Sequence, residues 1–208
     1  MIICLYGPDG SGKTTLAHLL AAILRRRGYR ARVAWLRGTH GFLSLLARFL
    51  ARSRVFRGDC NPYYGICVPS GLRGLWLLLE YLAVIPIYIA RYLVPSALGF
   101  IVIGDRCLVD FLAWLRATLG TTTRYRFLEG LVVREIARSI NIYVYADKRI
   151  LVERRPCERD QIERFYGVYE ALAQVLGARL RIDTSNTTPP RIAVEVASLL
   201  ENVLRETG

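Results

Sequence analysis

Short apolar runs alternate with longer amphipathic stretches along this chain. The apolar run at 2–6 stops at Gly7-Pro8, as a buried strand does, and the stretch at 14–27 then carries leucines at helical spacing. The pattern predicts strands at 2–6, 32–36, 100–103, 142–145 and 180–182, and helices at 14–27, 42–51, 107–119, 125–139 and after Pro189-Pro190. Such alternation predicts an α/β fold, with a five-stranded, mainly parallel sheet and helices on both faces.

Two stretches depart from this alternation. Residues 72–93 are apolar over about the length of a membrane span, but Glu80 and Pro86 interrupt them and arginines shorten the uncharged run. We therefore expect a core helix and no transmembrane span, with a lipid-facing groove as the alternative. Residues 55–72 are rich in turn residues and are expected to form an irregular connection.

The length and composition indicate one globular domain, 1–208. The chain has 208 residues, of which 53% are hydrophobic and 22% charged, and this excludes a disordered chain. Its net charge of +12 predicts an anionic partner such as a nucleotide, a nucleic acid or a membrane surface. Because no basic stripe is interleaved with aromatic residues, we do not expect nucleic-acid binding. The N-terminus lacks the pattern of a signal peptide, so we expect a cytoplasmic protein.

The five cysteines give no zinc-binding pattern, because no C-x-x-C occurs and the chain has two histidines. Cys4 lies in the first apolar run and is expected in the core. Cys60 and Cys67 flank one loop and are candidates for a disulfide, a pairing that the residues alone leave open.

The strongest motif is a glycine-rich turn between the first strand and the first helix. Residues 7–14 read GPDGSGKT and fit the pattern G-x-x-x-x-G-K-[ST] of a phosphate-binding loop in every position. Glycines let backbone N–H groups converge on a phosphate, and the following helix adds its positive N-terminal dipole. Lys13 is placed to reach the outer phosphates, and the Thr14 hydroxyl to bind Mg²⁺. The residues expected to bind ATP are Gly7, Asp9, Gly10, Ser11, Gly12, Lys13, Thr14 and Thr15.

An acidic and a basic residue follow the third predicted strand. Ligands of parallel sheets bind at the carboxyl ends of the strands, which places Asp105 and Arg106 beside the phosphate-binding loop. Asp105 is expected to hold a water molecule of Mg²⁺, so that Thr14 and Asp105 form the metal site. The Arg106 guanidinium suits a phosphate, which it can bind through two hydrogen bonds. The alternative is a surface ion pair or a helix cap.

Arginines surround a predicted helix break after the fourth strand. Asp147 is expected to cap a short helix that Pro156 ends, and the segment 148–162 is expected to be a mobile lid. The lid would bring positive charge onto a phosphoryl group during its transfer. A solvated basic helix is the alternative. The arginines concerned are Arg149, Arg154, Arg155 and Arg159.

Together these motifs resemble the thymidylate kinase family and its archaeal relatives. The resemblance lies in the loop at 7–15, in Asp105-Arg106, in the arginine-rich lid and in the aromatic run at 165–169, in that order over nearly the whole chain. It implies a three-layer P-loop NTPase fold. It also implies a nucleoside monophosphate kinase that moves the γ-phosphoryl group of ATP onto a monophosphate with Mg²⁺.

The resemblance also implies roles for single residues. Asp9 would lie near the sugar hydroxyl of the acceptor, and Arg106 would bind the acceptor phosphate. Because Gly10 stands where some members carry a loop arginine, the lid would supply the catalytic cations. Family members are often homodimers, so a homodimer is expected, with the apolar helices at 42–51 and 73–92 as candidate faces. The residues implied as catalytic are Lys13, Asp9, Arg106, Arg154, Arg155 and Arg159.

The sequence departs from the family where the acceptor is recognised. After the second strand only Arg37 matches the family's Arg-Glu-Pro-Gly, and no arginine occurs at 79–82. Residues 107–111 read CLVDF, so the thymine-reading residues of the family are not recognisable. The residues expected on the acceptor side are Asp9, Arg37, Asp105, Arg106 and Asp110, with Arg124 or Arg126 as further candidates for reading a different acceptor.

We therefore predict a thymidylate kinase, which forms ADP and dTDP from ATP and dTMP. A kinase of another small molecule or of a lipid is the first alternative, because residues 75–92 are apolar and the base-reading residues are missing. A P-loop NTPase that acts as a switch without kinase activity is the second alternative, and the basic net charge motivates it.

Overall fold

A computed structural model describes residues 1–120 and 125–207, with side chains to residue 200. Its strands are β1 (Ile2–Tyr6), β2 (Ala31–Trp35), β3 (Arg57–Asn61), β4 (Ile101–Asp105), β5 (Ile140–Tyr145) and β6 (Leu180–Asp183). All of them except β3 form one parallel sheet in the order β2–β4–β1–β5–β6. The predicted five-stranded parallel sheet is thus confirmed, with strand boundaries shifted by one or two residues.

Helices lie between the strands and cover both faces of the sheet. They are α1 (Lys13–Arg26), α2 (Phe42–Leu50), α3 (Arg73–Tyr88), α4 (Val94–Ala97), α5 (Leu108–Leu119), α6 (Arg126–Ala137), α7 (Lys148–Arg154), α8 (Arg159–Val175) and α9 (Pro189–Thr207). On one face, α1 and α9 pack through Leu16 and Val196. On the other face, α3, α5 and α8 pack through Tyr81, Phe111 and Leu172. Because the central strands are buried on both sides, they read as nearly continuous apolar runs.

The register of the sheet determines where its loops open. Leu5 of β1 pairs with Asp105 of β4, and Tyr6 pairs with Tyr143 of β5. Since the strands are parallel, the segments that follow β1, β4 and β5 all leave from the same edge. Cys4 is buried in β1, as expected for a core residue.

The apolar stretch after residue 70 forms one long helix. A π-helical turn (Ile89–Leu93) joins α3 to α4. Over Ser70–Ala97 this helix is long and apolar enough to cross a membrane, judged by length and composition alone. One of its faces packs into the core through Trp76, whereas Leu82 on another face is 53% exposed. The helix therefore contributes to the core and also presents apolar side chains outward.

Residues 55–72, which we expected to form an irregular connection, contain a short hairpin. β3 bends back through a turn, and Ile66 of the returning arm is buried in the core. A disulfide joins Cys60 to Cys67 and closes this 57–67 hairpin. Periodicity did not indicate the element, because β3 carries no alternating apolar side chains and the disulfide and Ile66 hold it instead.

A substitution at Gly38 tests the packing of the turn that follows β2. A Cβ on Gly38 would overlap the ring of buried Trp114, so we expect Gly38→Ala to lower the free energy of unfolding by about 1–3 kcal/mol. Gly130 lies in α6 with open space around it, and Gly130→Ala is expected to be neutral or to stabilise the protein by up to about 1 kcal/mol. Urea denaturation of both variants measures the difference, and equal stabilities would contradict the packing described here.

Candidate active site

The glycine-rich turn at 7–14, which we name the phosphate-binding loop after its predicted role, connects β1 to α1. Gly7 and Gly12 have φ angles of 143° and 85°, in the region that favours glycine. A Cβ on Gly7 would overlap the carbonyl oxygen of Val144, whereas nothing in the described part of the chain lies within 4 Å of where a Gly12 Cβ would stand. The turn therefore leaves space beside Gly12 at the N-terminus of α1, where a helix dipole favours a phosphate.

Lys13 points its ammonium group into this loop. Its Nζ donates to the Pro8 carbonyl at 2.7 Å and to Ser11 Oγ at 3.3 Å, and the side chain is buried. Burial, assisted by the charge of Arg106 and opposed by that of Asp9, lowers the pKa of Lys13 to about 8. The loop thus holds a cation that has lost much of its hydration, and an anion in the loop would stabilise it.

Asp105 and Thr14 suit a divalent cation. The Asp105 carboxyl is buried at the end of β4, and within the described residues its Oδ1 has no hydrogen-bond partner. The side chains of Thr14 and Thr15 are exposed at the start of α1. A buried carboxylate oxygen without a donor fits Mg²⁺ or a water molecule of its hydration shell, so these residues fit the predicted ion.

An ion pair joins the phosphate-binding loop to the residue after β4. Arg106 Nη2 donates to Asp9 Oδ1, and the Tyr63 hydroxyl donates to Asp9 Oδ2 at 3.3 Å. Burial would raise the pKa of Asp9, but the charges of Arg106 and Lys13 outweigh it and hold the pKa below its usual value. Two of the predicted site residues, Asp9 and Arg106, therefore meet as a charged pair at neutral pH.

The backbone of Arg106 adopts a conformation that is uncommon for its residue type. Its φ is 77°, its N–H donates to the Leu5 carbonyl at 3.2 Å, and its carbonyl accepts from the Tyr92 hydroxyl at 2.6 Å. Tyr92 lies in the π-helical turn and is fully buried. Gly104 leaves room for it, because a Cβ there would lie 3.0 Å from the Tyr92 ring. Tyr92 thus supports the strained turn from which the Arg106 side chain projects.

A cleft opens beside this ion pair. Arg37 lies over the ring of Tyr63, with its Cζ 3.1 Å from the ring centroid and 5.2 Å from that of Trp114. Burial and then the charge of Arg106 lower the pKa of Arg37 to about 10. Two arginines beside an aromatic wall suit an anion that carries a planar group. The lining residues are Asp9, Arg37, Tyr63, Arg106, Asp110, Trp114, Gln161, Ile162, Phe165 and Tyr169.

Asp110 lines this cleft, but both of its carboxyl oxygens bind groups of the protein. Oδ2 accepts from the backbone N–H of Cys107 at 2.9 Å, and Oδ1 accepts from the Tyr169 hydroxyl at 2.8 Å. Burial raises the pKa of Asp110, against the opposing charge of Arg106. Asp110 therefore fixes the start of α5 and orients Tyr169. Of the other acceptor candidates, Arg126 is exposed at the start of α6 and Arg124 lies outside the described residues.

The predicted lid begins at α7, which Asp147 caps by accepting the backbone N–H of Arg149 at 2.8 Å. Arg154 donates to the Gly10 carbonyl at 3.2 Å and to the Thr184 carbonyl at 2.8 Å, so it bridges the lid, the phosphate-binding loop and the end of β6. Arg155 and Arg159 instead form ion pairs with Glu158 and Glu163. Of the three lid arginines implied as catalytic, Arg154 contacts the loop through its guanidinium, and the Cγ of Arg155 lies 3.7 Å from where a Gly10 Cβ would stand.

Glu80 is a buried acid that sequence reasoning treated only as an interruption of an apolar stretch. It accepts hydrogen bonds from the Thr39 N–H at 2.6 Å and from Trp76 Nε1 at 3.0 Å. Trp114 Nε1 in turn donates to the Thr39 hydroxyl at 3.1 Å. Burial raises the pKa of Glu80, although these donors oppose the shift. The network holds Thr39, which has a φ of 54°, two residues after Arg37 and thereby shapes the cleft. A single Glu within an apolar helix was its only signal in the sequence.

Two further cleft residues, Tyr63 and Trp114, were not identified from the sequence. Tyr63 belongs to a segment rich in turn residues, and Trp114 lies in α5, a helix that is buried over most of its length and reads as ordinary core. Their rings are 5.5 Å apart only because the 57–67 hairpin folds over α5. No local sequence pattern indicates this contact between the two rings.

No protein-family model and no curated protein sequence matches this chain. Among solved structures, the YorR protein of Bacillus subtilis, crystallised in complex with phosphorylated GDP, is 18% identical with a TM-score of 0.59, over 99% of this chain and 98% of that one. Thymidylate kinase from Ehrlichia chaffeensis is 19% identical with a TM-score of 0.56, over 96% and 98% of the two chains. At these identities the comparison establishes the fold, so the predicted α/β fold is confirmed and is shared with a thymidylate kinase and with YorR.

The support that Tyr92 gives to Arg106 is testable through stability. Tyr92→Phe removes a buried donor from the Arg106 carbonyl, and we expect the free energy of unfolding to fall by about 1–2 kcal/mol. Tyr6 offers a matched control, because its buried hydroxyl has no partner among the described residues and Tyr6→Phe should be neutral or stabilising. Chemical denaturation measures both variants, and equal losses would show that the Tyr92 hydroxyl adds nothing.

Proposed function

We propose that this chain is a nucleoside monophosphate kinase, which transfers the γ-phosphoryl group of ATP to a nucleoside monophosphate with Mg²⁺. The observation that carries the proposal is the junction of a phosphate-binding loop with a two-arginine cleft through Asp9 and Arg106. A kinase needs a donor site and an acceptor site that meet at one point, and this ion pair lies at such a point. The fold shared with a thymidylate kinase and with a protein crystallised with phosphorylated GDP supports it.

On the donor side, the backbone N–H groups of the loop and the Lys13 ammonium bind the phosphates of ATP. Thr14 and Asp105 would hold Mg²⁺, which neutralises charge on the phosphates. Arg154 already lies on the loop through the Gly10 carbonyl, within reach of bound phosphates. In the proposed reaction Arg155 and Arg159 exchange their glutamate partners for the phosphoryl group as the lid closes.

On the acceptor side, Arg106 and Arg37 bind the acceptor phosphate and direct it at the donor. A phosphate monoester is already a nucleophile at neutral pH, so the site needs no general base. Catalysis then consists of positioning and charge neutralisation. Asp9 holds Arg106 and lies where it can accept a hydroxyl of the acceptor sugar. The Tyr63, Trp114 and Phe165 rings offer planar surfaces for the base.

A kinase of a different small molecule or of a lipid is the second candidate function. Two observations favour it: Asp110, the acid of the expected base-reading segment, is bound within the protein, and α3 exposes apolar side chains such as Leu75 and Leu82. A homodimer through the outward faces of α2 and α3 stays a prediction.

An acceptor panel separates these functions. With ATP and Mg²⁺, we expect phosphoryl transfer to nucleoside monophosphates, with dTMP preferred over UMP and CMP, and the panel includes GMP because the YorR structure contains phosphorylated GDP. ADP release coupled to product identification by mass spectrometry provides the measurement. Transfer to a sugar or a polyprenol but not to nucleotides would establish the second candidate, and ATP hydrolysis without any transfer would contradict a kinase.

Lys13→Met tests the donor side. We expect it to lower turnover by about a hundredfold or more, because the variant loses the ammonium group that neutralises charge on the transferred phosphoryl group. The fold should remain intact. Between pH 8 and 10.5 the unfolded chain binds more protons at this lysine than the folded protein does, so the contribution of Lys13 to wild-type stability rises with pH through that window. The variant lacks this contribution. Its free energy of unfolding therefore compares best with that of wild type below pH 8 and compares less well as the pH rises.

The matched control is Lys148→Met, at an exposed lysine, which should leave the pH dependence of unfolding unchanged. Thermal unfolding from pH 7 to 10.5 checks the stability, and the coupled assay checks turnover. An active Lys13→Met protein would rule out the proposed donor site.

A further inference from the structure

The 57–67 hairpin reaches across the acceptor cleft from outside the sheet. Its returning arm is anchored by Ile66 in the core, and the Cys60–Cys67 disulfide closes it. Arg164 of α8 donates to the carbonyl oxygens of Asp59 at 2.6 Å and of Cys60 at 3.1 Å. The hairpin is therefore fixed at its base on two sides, so that the side chains at its tip have a defined place.

Tyr63 is the tip residue that enters the cleft. Its N–H donates to Asn61 Oδ1 at 3.2 Å, which orients the turn, and its ring lies 5.5 Å from that of Trp114. The central carbon of the Arg37 guanidinium lies over the face of this ring, and the Tyr63 hydroxyl reaches Asp9. One side chain thus contacts both the acceptor-side cation and the acid of the phosphate-binding loop.

Stacking leaves the hydrogen-bonding edge of Arg37 free. A guanidinium donates in its own plane, so a ring on its face takes none of its donors. Arg37 Nη2 is buried and, in the described part of the chain, has no hydrogen-bond partner. A buried charged donor without an acceptor is costly, and the cost is removed when an anionic oxygen binds there. Without the ring, this long side chain would have many more rotamers.

We propose that Tyr63, held by the disulfide-closed 57–67 hairpin, is a positioning residue that keeps Arg37 stacked and directed at the acceptor phosphate. The inference rests on the proposed function, because it assigns to Tyr63 a part in binding the acceptor of that same site. The Tyr63 ring acts through Arg37, and the Tyr63 hydroxyl contributes little to acceptor binding.

The kinetic test uses the acceptor that gives the highest turnover in the panel. Tyr63→Ala should raise the KM for this acceptor about tenfold, within the range of a partly desolvated cation–π contact, and leave the KM for ATP within about twofold. Tyr63→Phe keeps the ring and should stay within about twofold of wild type for both substrates. Phe127→Ala, which removes a 76% exposed aromatic ring from α6, is the matched control and should change neither value.

A double-mutant cycle shows whether Tyr63 acts through Arg37. In an Arg37→Ala background, Tyr63→Ala should raise the acceptor KM by less than about twofold, because the ring has lost its partner. An unchanged acceptor KM in Tyr63→Ala, a loss of the same size in Tyr63→Phe, or an undiminished effect in the Arg37→Ala background would each overturn the inference while leaving the kinase intact.

A binding measurement separates this inference from the proposed function. Inorganic phosphate is titrated into wild type, Tyr63→Ala, Tyr63→Phe and Arg37→Ala, and thermal unfolding measures how much it stabilises each protein. The stabilisation that wild type shows beyond that of Arg37→Ala is the part that requires Arg37, and this part is then compared with the stabilisation of the two Tyr63 variants. We expect Tyr63→Ala to lose that part and Tyr63→Phe to keep it. If wild type phosphorylates no acceptor but shows this pattern, the kinase proposal fails and the role of Tyr63 stands. If no Arg37-dependent stabilisation occurs, or Tyr63→Ala retains it, the role of Tyr63 is refuted.

Discussion

The parallel pairing of β1 with β4 is the constraint on which the candidate site depends. Its register sets Leu5 opposite Asp105, so the chain enters the phosphate-binding loop and the Arg106 turn from neighbouring points of one edge. Asp9 and Arg106, 97 residues apart in the sequence, form their ion pair for that reason. A register shift of one residue would move every side chain of the strand to the other face of the sheet and would separate these two groups.

The same edge gathers three cations and three acids. Lys13, Arg37 and Arg106 lie near Asp9, Asp105 and Asp110, and the charge of Arg106 lowers the pKa of both other cations. Repulsion and lost hydration at such a place reduce stability, and an anionic ligand would reverse both effects. In the proposed function, the packing of the core offsets the cost of holding these buried charges together.

The parts that sequence could predict are those whose causes are local or periodic. The phosphate-binding loop needs glycines and a lysine at fixed spacing, and β4 with its trailing Asp105-Arg106 follows from a short apolar run. Asp147 as a helix cap also depends only on neighbouring residues. Tyr63 and Tyr92 act through elements that are distant in sequence, so their positions follow from tertiary packing. Residues 55–72, which contain Tyr63, were predicted to form an irregular connection. A disulfide and one buried isoleucine hold this segment, and neither produces a periodic pattern in the sequence.

The cleft also explains why the acceptor was the least predictable part of the function. Phosphate is recognised by charge, and arginines near a phosphate-binding loop indicate it directly. A base is distinguished by hydrogen bonds to its edge, and here the acid of the expected segment, Asp110, is already bound to Cys107 and Tyr169. Aromatic rings remain, and stacking tolerates any base because every base has a planar face. For the proposed kinase, the described residues thus define the charge of the acceptor much more strictly than its base.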